Sequence, residues 1–126
     1  MVGLVVVSHS ERAAEGIVEI AAEMAGDTVI EPVGGDGKGG IGTVPDAIED
    51  ALAAAEDGDG VVVLVDLGSA VMNADVAIEM SEAEAVIADA PVLEGAVNAA
   101  VAATDPAATL DSVCEQAEAA REIQKL

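Results

Sequence analysis

His9 is the only histidine in the chain, and serines flank it on both sides. It follows a valine-rich run from Val2 to Ser8, and an aspartate, Asp66, follows a second such run from Gly60 to Val65. An imidazole and a carboxylate make a reactive pair when they meet. One ring nitrogen attacks phosphorus while the other gives its proton to the carboxylate, which fixes the tautomer and steadies the positive ring that forms. The residues after each member of the pair suit an anionic group. Helical patterns begin just beyond His9 and just beyond Gly68, so free backbone N–H groups and positive dipole ends would face it. Gly68 allows close backbone approach, and the hydroxyls of Ser8, Ser10 and Ser69 are further donors. Singly, these residues signify little. A lone loop histidine is usually solvated, Asp66 could be a turn residue, and Ser69 is most simply a helix cap. Their meaning depends on whether the fold brings them together.

The order of elements predicts that it does. Val2 to Ser8 is too short for a helix and reads as a buried strand. Apolar spacing turns helical from Ser10 to Met24 and stops at Gly26-Asp27. Thr28 to Val33 is a second strand, and Gly34 to Gly42 a glycine-dense loop. Thr43 is expected to cap a helix with Pro45 and Asp46 in its first turn, ending near Glu56. Beyond the turn at Asp57 to Gly60, the most apolar strand runs to Val65. Ser69 is expected to cap the next helix, to about Met80. Glu84 to Ala88 is a weaker strand. Pro91 introduces a helix to about Thr104, Asp105-Pro106 breaks it, and a last helix reaches Gln124.

Strands alternating with helices, without repeats or linkers, predict one α/β domain spanning residues 1–126. Its architecture is a three-layer sandwich: a central four-stranded parallel sheet, order 2-1-3-4, with helices on both faces. This is the flavodoxin-like arrangement without its fifth strand. The two early strands are expected to be apolar throughout, as central strands are. Ligands of such sheets sit beyond the carboxyl ends of the strands, where the winding reverses. Here that point lies between the first and third strands, so His9 and Asp66 should face each other across the crevice.

Other motifs carry less. Gly35 to Gly40 fits G-x-G-x-x-G, but it follows the second strand and contains an aspartate, so it reads as a flexible rim loop with a solvated Lys38. A receiver-type phosphoaspartate site would need an acidic pair after the first strand, where Ser8-His9 stands. A histidine phosphatase would need a second histidine. No P-loop or metal-ligand set is present, and no cofactor is expected. The acidic residues of the helical stretches, Glu49, Asp50, Glu56, Glu79, Glu82 and Glu118, read as a solvated face. Cys114, the only cysteine, excludes an internal disulfide and reads as half-buried and unreactive.

The charge is extreme: 25 acidic residues against Arg12, Lys38, Arg121 and Lys125 give a net −21. Such a field repels nucleic acid and anionic lipid. Acidic disorder is excluded by an apolar content of 52%. A folded chain of this charge reads as adapted to high salt, where the Debye length falls to about 3 Å at 1 M. With no aromatic residue, the core must be built from aliphatic side chains and alanine. The expected setting is soluble and cytoplasmic, without a signal peptide and without an apolar stretch near the roughly 20 residues of a membrane span.

Two stretches, VVVSHSERAAEG and VVVLVDLGSAVMNADVAIEM, make the pattern specific. They resemble the phosphotransferase subunit of PEP-dependent dihydroxyacetone kinase, in its enzyme IIA domain of the mannose type. The loop GGDGKGGIGTVPDAI and the segment APVLEGAVNAAVAA extend the resemblance over nearly the whole chain. It implies a phosphohistidine at His9 hydrogen-bonded to Asp66, and the donors read from the residues, Ser10, Gly68 and Ser69, are then expected to bind the phosphoryl group. It implies HPr, the phosphocarrier protein of the sugar phosphotransferase system, as a separate donor. The implied acceptor is ADP on the nucleotide-binding subunit of dihydroxyacetone kinase, in glycerol metabolism, and the implied state is a homodimer. The chain departs from the family in carrying Ala13 for leucine and Val44 for serine, the second removing a polar group. A mannose-class sugar-transport enzyme IIA would use the same chemistry. A regulatory module would leave His9 inert.

Overall fold

The computed structural model describes all residues, Met1–Leu126. Four strands, β1 (Gly3–Ser8), β2 (Ile30–Gly34), β3 (Val61–Val65) and β4 (Ala85–Ile87), form one parallel sheet in the expected order β2-β1-β3-β4. Five α-helices connect and cover them: α1 (Glu11–Ala22), α2 (Pro45–Ala55), α3 (Ser69–Met80), α4 (Val92–Ala103) and α5 (Leu110–Glu118).

Alternation along the two central strands divides the core. Leu4 and Val6 of β1 and Val62 and Leu64 of β3 face α1, α4 and α5, while Val5, Val7, Val61 and Val63 face α2 and α3. The helices meet the sheet through alanine, at Ala14 and Ala21, at Ala70, Ala74 and Ala77, and at Ala96, Ala99 and Ala103. A methyl-sized side chain lets each helix lie close to the valine surface, which is how the core fills without aromatics. Gly3 extends this logic: a Cβ there would stand 1.9 Å from the Ala55 carbonyl oxygen at the end of α2.

Four expectations are corrected. The second strand is not a buried central one. At the sheet edge β2 is half-buried along its length, and its Glu31 and Pro32 are the residues an edge tolerates. Thr43 does not cap α2. The extended cap position is Val44, which makes no side-chain cap bond, and the Thr43 hydroxyl instead accepts from Asn73 Nδ2 at 2.7 Å. Ser69 does not cap α3. Gly68 already has helical backbone angles and takes the cap position, so Ser69 is the first helical residue with its hydroxyl free to turn elsewhere. The last helix ends at Glu118, not Gln124, and a single 3₁₀ turn, Ala119–Glu122, follows it.

Candidate functional site

The register of β1 against β3 builds the site. Val7 pairs with Val65, so the next residues of both strands leave the sheet together at its carboxyl edge. The Asp66 N–H still donates to the Val7 carbonyl at 3.1 Å, which holds the two exits side by side. Across them His9 Nδ1 lies 3.0 Å from Asp66 Oδ1. The carboxylate's other oxygen is equally occupied: Oδ2 accepts the His9 backbone N–H at 2.9 Å and the Ser8 hydroxyl at 2.9 Å. Burial pushes the Asp66 pKa upward, but the bonds from the His9 backbone, the His9 ring and the Ser8 hydroxyl outweigh it. The group is held below the ordinary carboxylate value.

A carboxylate can only accept, so Nδ1 carries the proton in this pair. On the far side of the ring Ser69 Oγ lies 2.9 Å from Nε2. A neutral ring protonated at Nδ1 offers Nε2 as an acceptor, and the Ser69 hydroxyl donates to it. The two contacts specify one tautomer and leave Nε2, on a ring only 22% exposed, as the unprotonated nitrogen with a free lone pair.

The surroundings suit an anion. The backbone N–H groups of Gly68 and Ser69, at the start of α3, have no acceptor within the chain, and neither have those of Glu11 and Arg12 at the start of α1. Two helix N-termini, one following His9 and one carrying Ser69, therefore have free donors. Ser10 caps α1 through its Oγ, which accepts from the Ala13 N–H at 3.3 Å and keeps its own proton to donate. A Cβ at Gly68 would meet nothing within 4 Å, so the folded chain itself does not require glycine there. The space it leaves lies beside the free N–H groups.

Ser8, read from the sequence as one more donor toward a ligand, is buried and turned inward to Asp66. As the last residue of β1 its orientation follows strand alternation, a signal that was present in the sequence. The glycine-rich loop joins the site through backbone: the Gly42 N–H donates to the His9 carbonyl at 2.9 Å. Asp36 closes this loop, its Oδ1 accepting from the Lys38 and Gly40 N–H groups at 2.7 and 2.9 Å. A surface cleft of about 580 Å³ lies elsewhere, lined by Glu49, Glu56 and Glu82 with no cation. No cluster of His, Cys, Asp and Glu has the makings of a metal site. No helix is long and apolar enough to cross a membrane.

Comparison with known proteins bears on this arrangement. The model of the EIIA-man family, described as the PTS system fructose IIA component, matches residues 3–114. In Listeria innocua, the phosphoryl donor subunit DhaM of PEP-dependent dihydroxyacetone kinase 2 is 41% identical over 106 residues, covering 80% of this chain and 85% of that one. The phosphotransferase subunit DhaM of the Lactococcus lactis PTS-dependent dihydroxyacetone kinase is 37% identical, covering 92% and 93%. The Escherichia coli DhaM subunit is 35% identical over 99% of this chain, which spans only 28% of that longer protein. Among solved structures, the crystal structure of an unknown-function protein, EF1359, superposes with a TM-score of 0.81 at 29% identity, covering 93% of this chain and 92% of that one.

Proposed function

The chain belongs to the EIIA-man family, and from that premise we propose that it is the phosphoryl donor subunit of a dihydroxyacetone kinase, carrying the phosphoryl group on His9. The single observation that carries the role of His9 is the ring held from both sides, by Asp66 at Nδ1 and Ser69 at Nε2. We read residues 1–126 as one domain of this kind, working in the cytoplasm as a homodimer.

The transfer runs in two displacements. Phosphorylated HPr brings its phosphoryl group to Nε2, the Ser69 hydroxyl turning aside to bond a phosphoryl oxygen. The donor's N–P bond breaks as the Nε2–P bond forms, and the ring becomes positive with its Nδ1–H on Asp66. That charge is met by a carboxylate already ionised and fully hydrogen-bonded, so Asp66 does not have to reorganise at the moment of transfer. The free N–H groups of Gly68 and Ser69, with the Ser10 hydroxyl, hold the phosphoryl oxygens. In the second displacement a β-phosphate oxygen of ADP, held by the kinase's nucleotide-binding subunit, attacks phosphorus in line. The Nε2–P bond breaks and ATP forms on the partner, where it phosphorylates dihydroxyacetone. This chain has no site for the nucleotide itself, and a net charge of −21 opposes binding one. The partner supplies the magnesium and the cations of that step.

The test is reconstitution. The chain alone should neither bind ATP nor phosphorylate dihydroxyacetone. With dihydroxyacetone, the two kinase subunits, ADP, HPr, its phosphorylating enzyme and phosphoenolpyruvate as the phosphoryl source, product should form, and His9→Ala should reduce it to background. The family description as a fructose IIA component favours a second reading, in which the acceptor is a sugar transporter component. Label that passes to such a component and ignores the kinase subunits would decide for it.

A further inference from the structure

Helix α3 hydrogen-bonds to the rest of the molecule through the side chains of two residues. Ser69 Oγ meets His9 Nε2 at 2.9 Å, and Asn73 Nδ2 donates to the Thr43 hydroxyl at 2.7 Å and to the Thr43 carbonyl at 3.3 Å. The two residues are four apart, one turn along the same face of the helix. The fully buried side chains of α3 are all alanine, at Ala70, Ala74 and Ala77. A row of methyl groups fits a valine surface at more than one height and rotation, so packing alone places Ser69 loosely. The bonds of Asn73 remove that freedom.

What Asn73 holds leads back to His9. Thr43 follows Gly42, whose N–H donates to the His9 carbonyl at 2.9 Å. Every polar group of His9 is bonded. Its N–H and Nδ1 go to Asp66, its carbonyl to Gly42 and its Nε2 to Ser69. The first two bonds share one carboxylate, so they keep their relative places without help. The last two come from a glycine-rich loop and from a helix, and Asn73 joins these. Its amide is also the right group for that place. The Thr43 carbonyl can only accept, so the side chain must turn an NH₂ to it.

We propose that Asn73 is a positioning residue for phosphoryl transfer: by tying Thr43 to α3 it sets the Ser69 hydroxyl, and the free N–H groups beside it, in register with Nε2 of His9. The proposal deepens the transfer reading above and rests on it. The Ser69 hydroxyl first meets Nε2 and then turns to a phosphoryl oxygen, so the backbone that carries it has to serve both positions. A group that is about 1 Å out of place at such a step costs as much as roughly 10²-fold in rate. Asn73 touches neither the ring nor the phosphoryl group, and acts through Ser69 and through the loop.

The experiment separates placement from binding. Asn73→Ala removes the tie, and Asn73→Leu removes it while keeping the volume. Thr43→Val deletes only the accepting hydroxyl, and Thr43→Ser restores it. Both positions are half-buried, so circular dichroism confirms each fold, and the Thr43 pair carries the test if the Asn73 variants do not fold. Rapid-quench phosphorylation over a range of phosphorylated HPr gives a maximal rate and a half-saturating concentration. Both Asn73 variants should lower the maximal rate about tenfold or more and leave the half-saturating concentration unchanged. Thr43→Val should lower it in the same way, and Thr43→Ser should match the unaltered chain. His9 is the only histidine, so ¹⁵N spectra show one ring. In the Asn73 variants the Nδ1 signal should stay that of a protonated nitrogen, since Asp66 still holds it. The Nε2 signal should move toward that of a nitrogen without a hydrogen bond. A full maximal rate in folded Asn73→Ala or in Thr43→Val, or an Nε2 signal that does not move, overturns the proposal and leaves the transfer reading standing. So does a raised half-saturating concentration with the maximal rate intact, which would give Asn73 a part in binding instead. An unaltered chain that takes no phosphoryl group overturns the transfer reading and the proposal with it.

Discussion

Asp66 has two oxygens and they do different things. Oδ2 holds backbone and strand end, through the His9 N–H and the Ser8 hydroxyl, while Oδ1 alone faces the ring. An asparagine at this position keeps the first set by turning its carbonyl oxygen to them, which points its amide NH₂ at Nδ1. The ring then accepts at Nδ1, moves its proton to Nε2, and loses the nucleophile. Asp66→Asn should therefore stay folded and be phosphorylated about 10²-fold more slowly or worse, read as the initial rate from phosphorylated HPr. A pH dependence accompanies it. The folded-state pKa of Asp66 lies below the ordinary value of 3.8, so its bonds contribute stability that is present above that value and lost as pH falls through the lower one. The melting temperature of the unaltered chain should exceed that of Asp66→Asn at pH 7, and the gap should close in acid, as the pH falls below the ordinary carboxylate range. A gap that widens in acid would contradict the hydrogen bonding described. Asp66 and His9 were legible as a pair in the sequence because both end apolar strands adjacent at the switch point. The contact of Ser69 with Nε2 was not, since a serine after a turn can cap a helix or turn out, and only the backbone at Gly68 decides.

At the scale of elements, two glycines beside the site have opposite reasons to be there. Gly34 ends β2, and a Cβ on it would stand 2.5 Å from the Ser8 carbonyl oxygen and 2.8 Å from that of Ser10. It lets the edge strand press against the backbone that carries His9. Gly68 has open space around its missing side chain. Gly34→Ala should therefore cost on the order of 1–3 kcal/mol in chemical denaturation, as backbone that cannot give way is overpacked. Gly68→Ala should leave the fold unharmed, yet slow phosphorylation by occupying the space beside the free N–H groups. Equal stability of the two variants, or full activity of Gly68→Ala, would refute the distinction. The strand order was readable from apolar runs alone because a parallel sheet buries its centre on both faces, and β1 and β3 do read that way. The half-buried character of β2 was missed because its flanking Thr28 and Val29 lengthened the apolar run, although Glu31 and Pro32 already marked an edge. Helix ends failed where two neighbouring residues could each cap. At Thr43 the choice fell to a bond with Asn73, thirty residues away, which no local pattern contains.

The whole molecule carries 25 acidic and four basic residues on a fold whose core is neutral and aliphatic, so the charge is a surface property that repels itself. Screening falls from a reach of about 10 Å at 0.1 M salt to about 3 Å at 1 M. Thermal melts followed by circular dichroism should rise across that range, by about 3–6 °C for each kcal/mol of repulsion removed at this chain length. Equal melting temperatures would remove the high-salt reading without touching the site. The site's claim stands on one atom, Nε2 of the only histidine, and intact mass tests it most directly. After incubation with phosphorylated HPr, the chain should gain one phosphoryl group that is labile to acid and stable to base, and His9→Ala, folded, should gain none. A folded His9→Ala that still takes up the same label, or an unaltered chain that takes up none, would contradict the account.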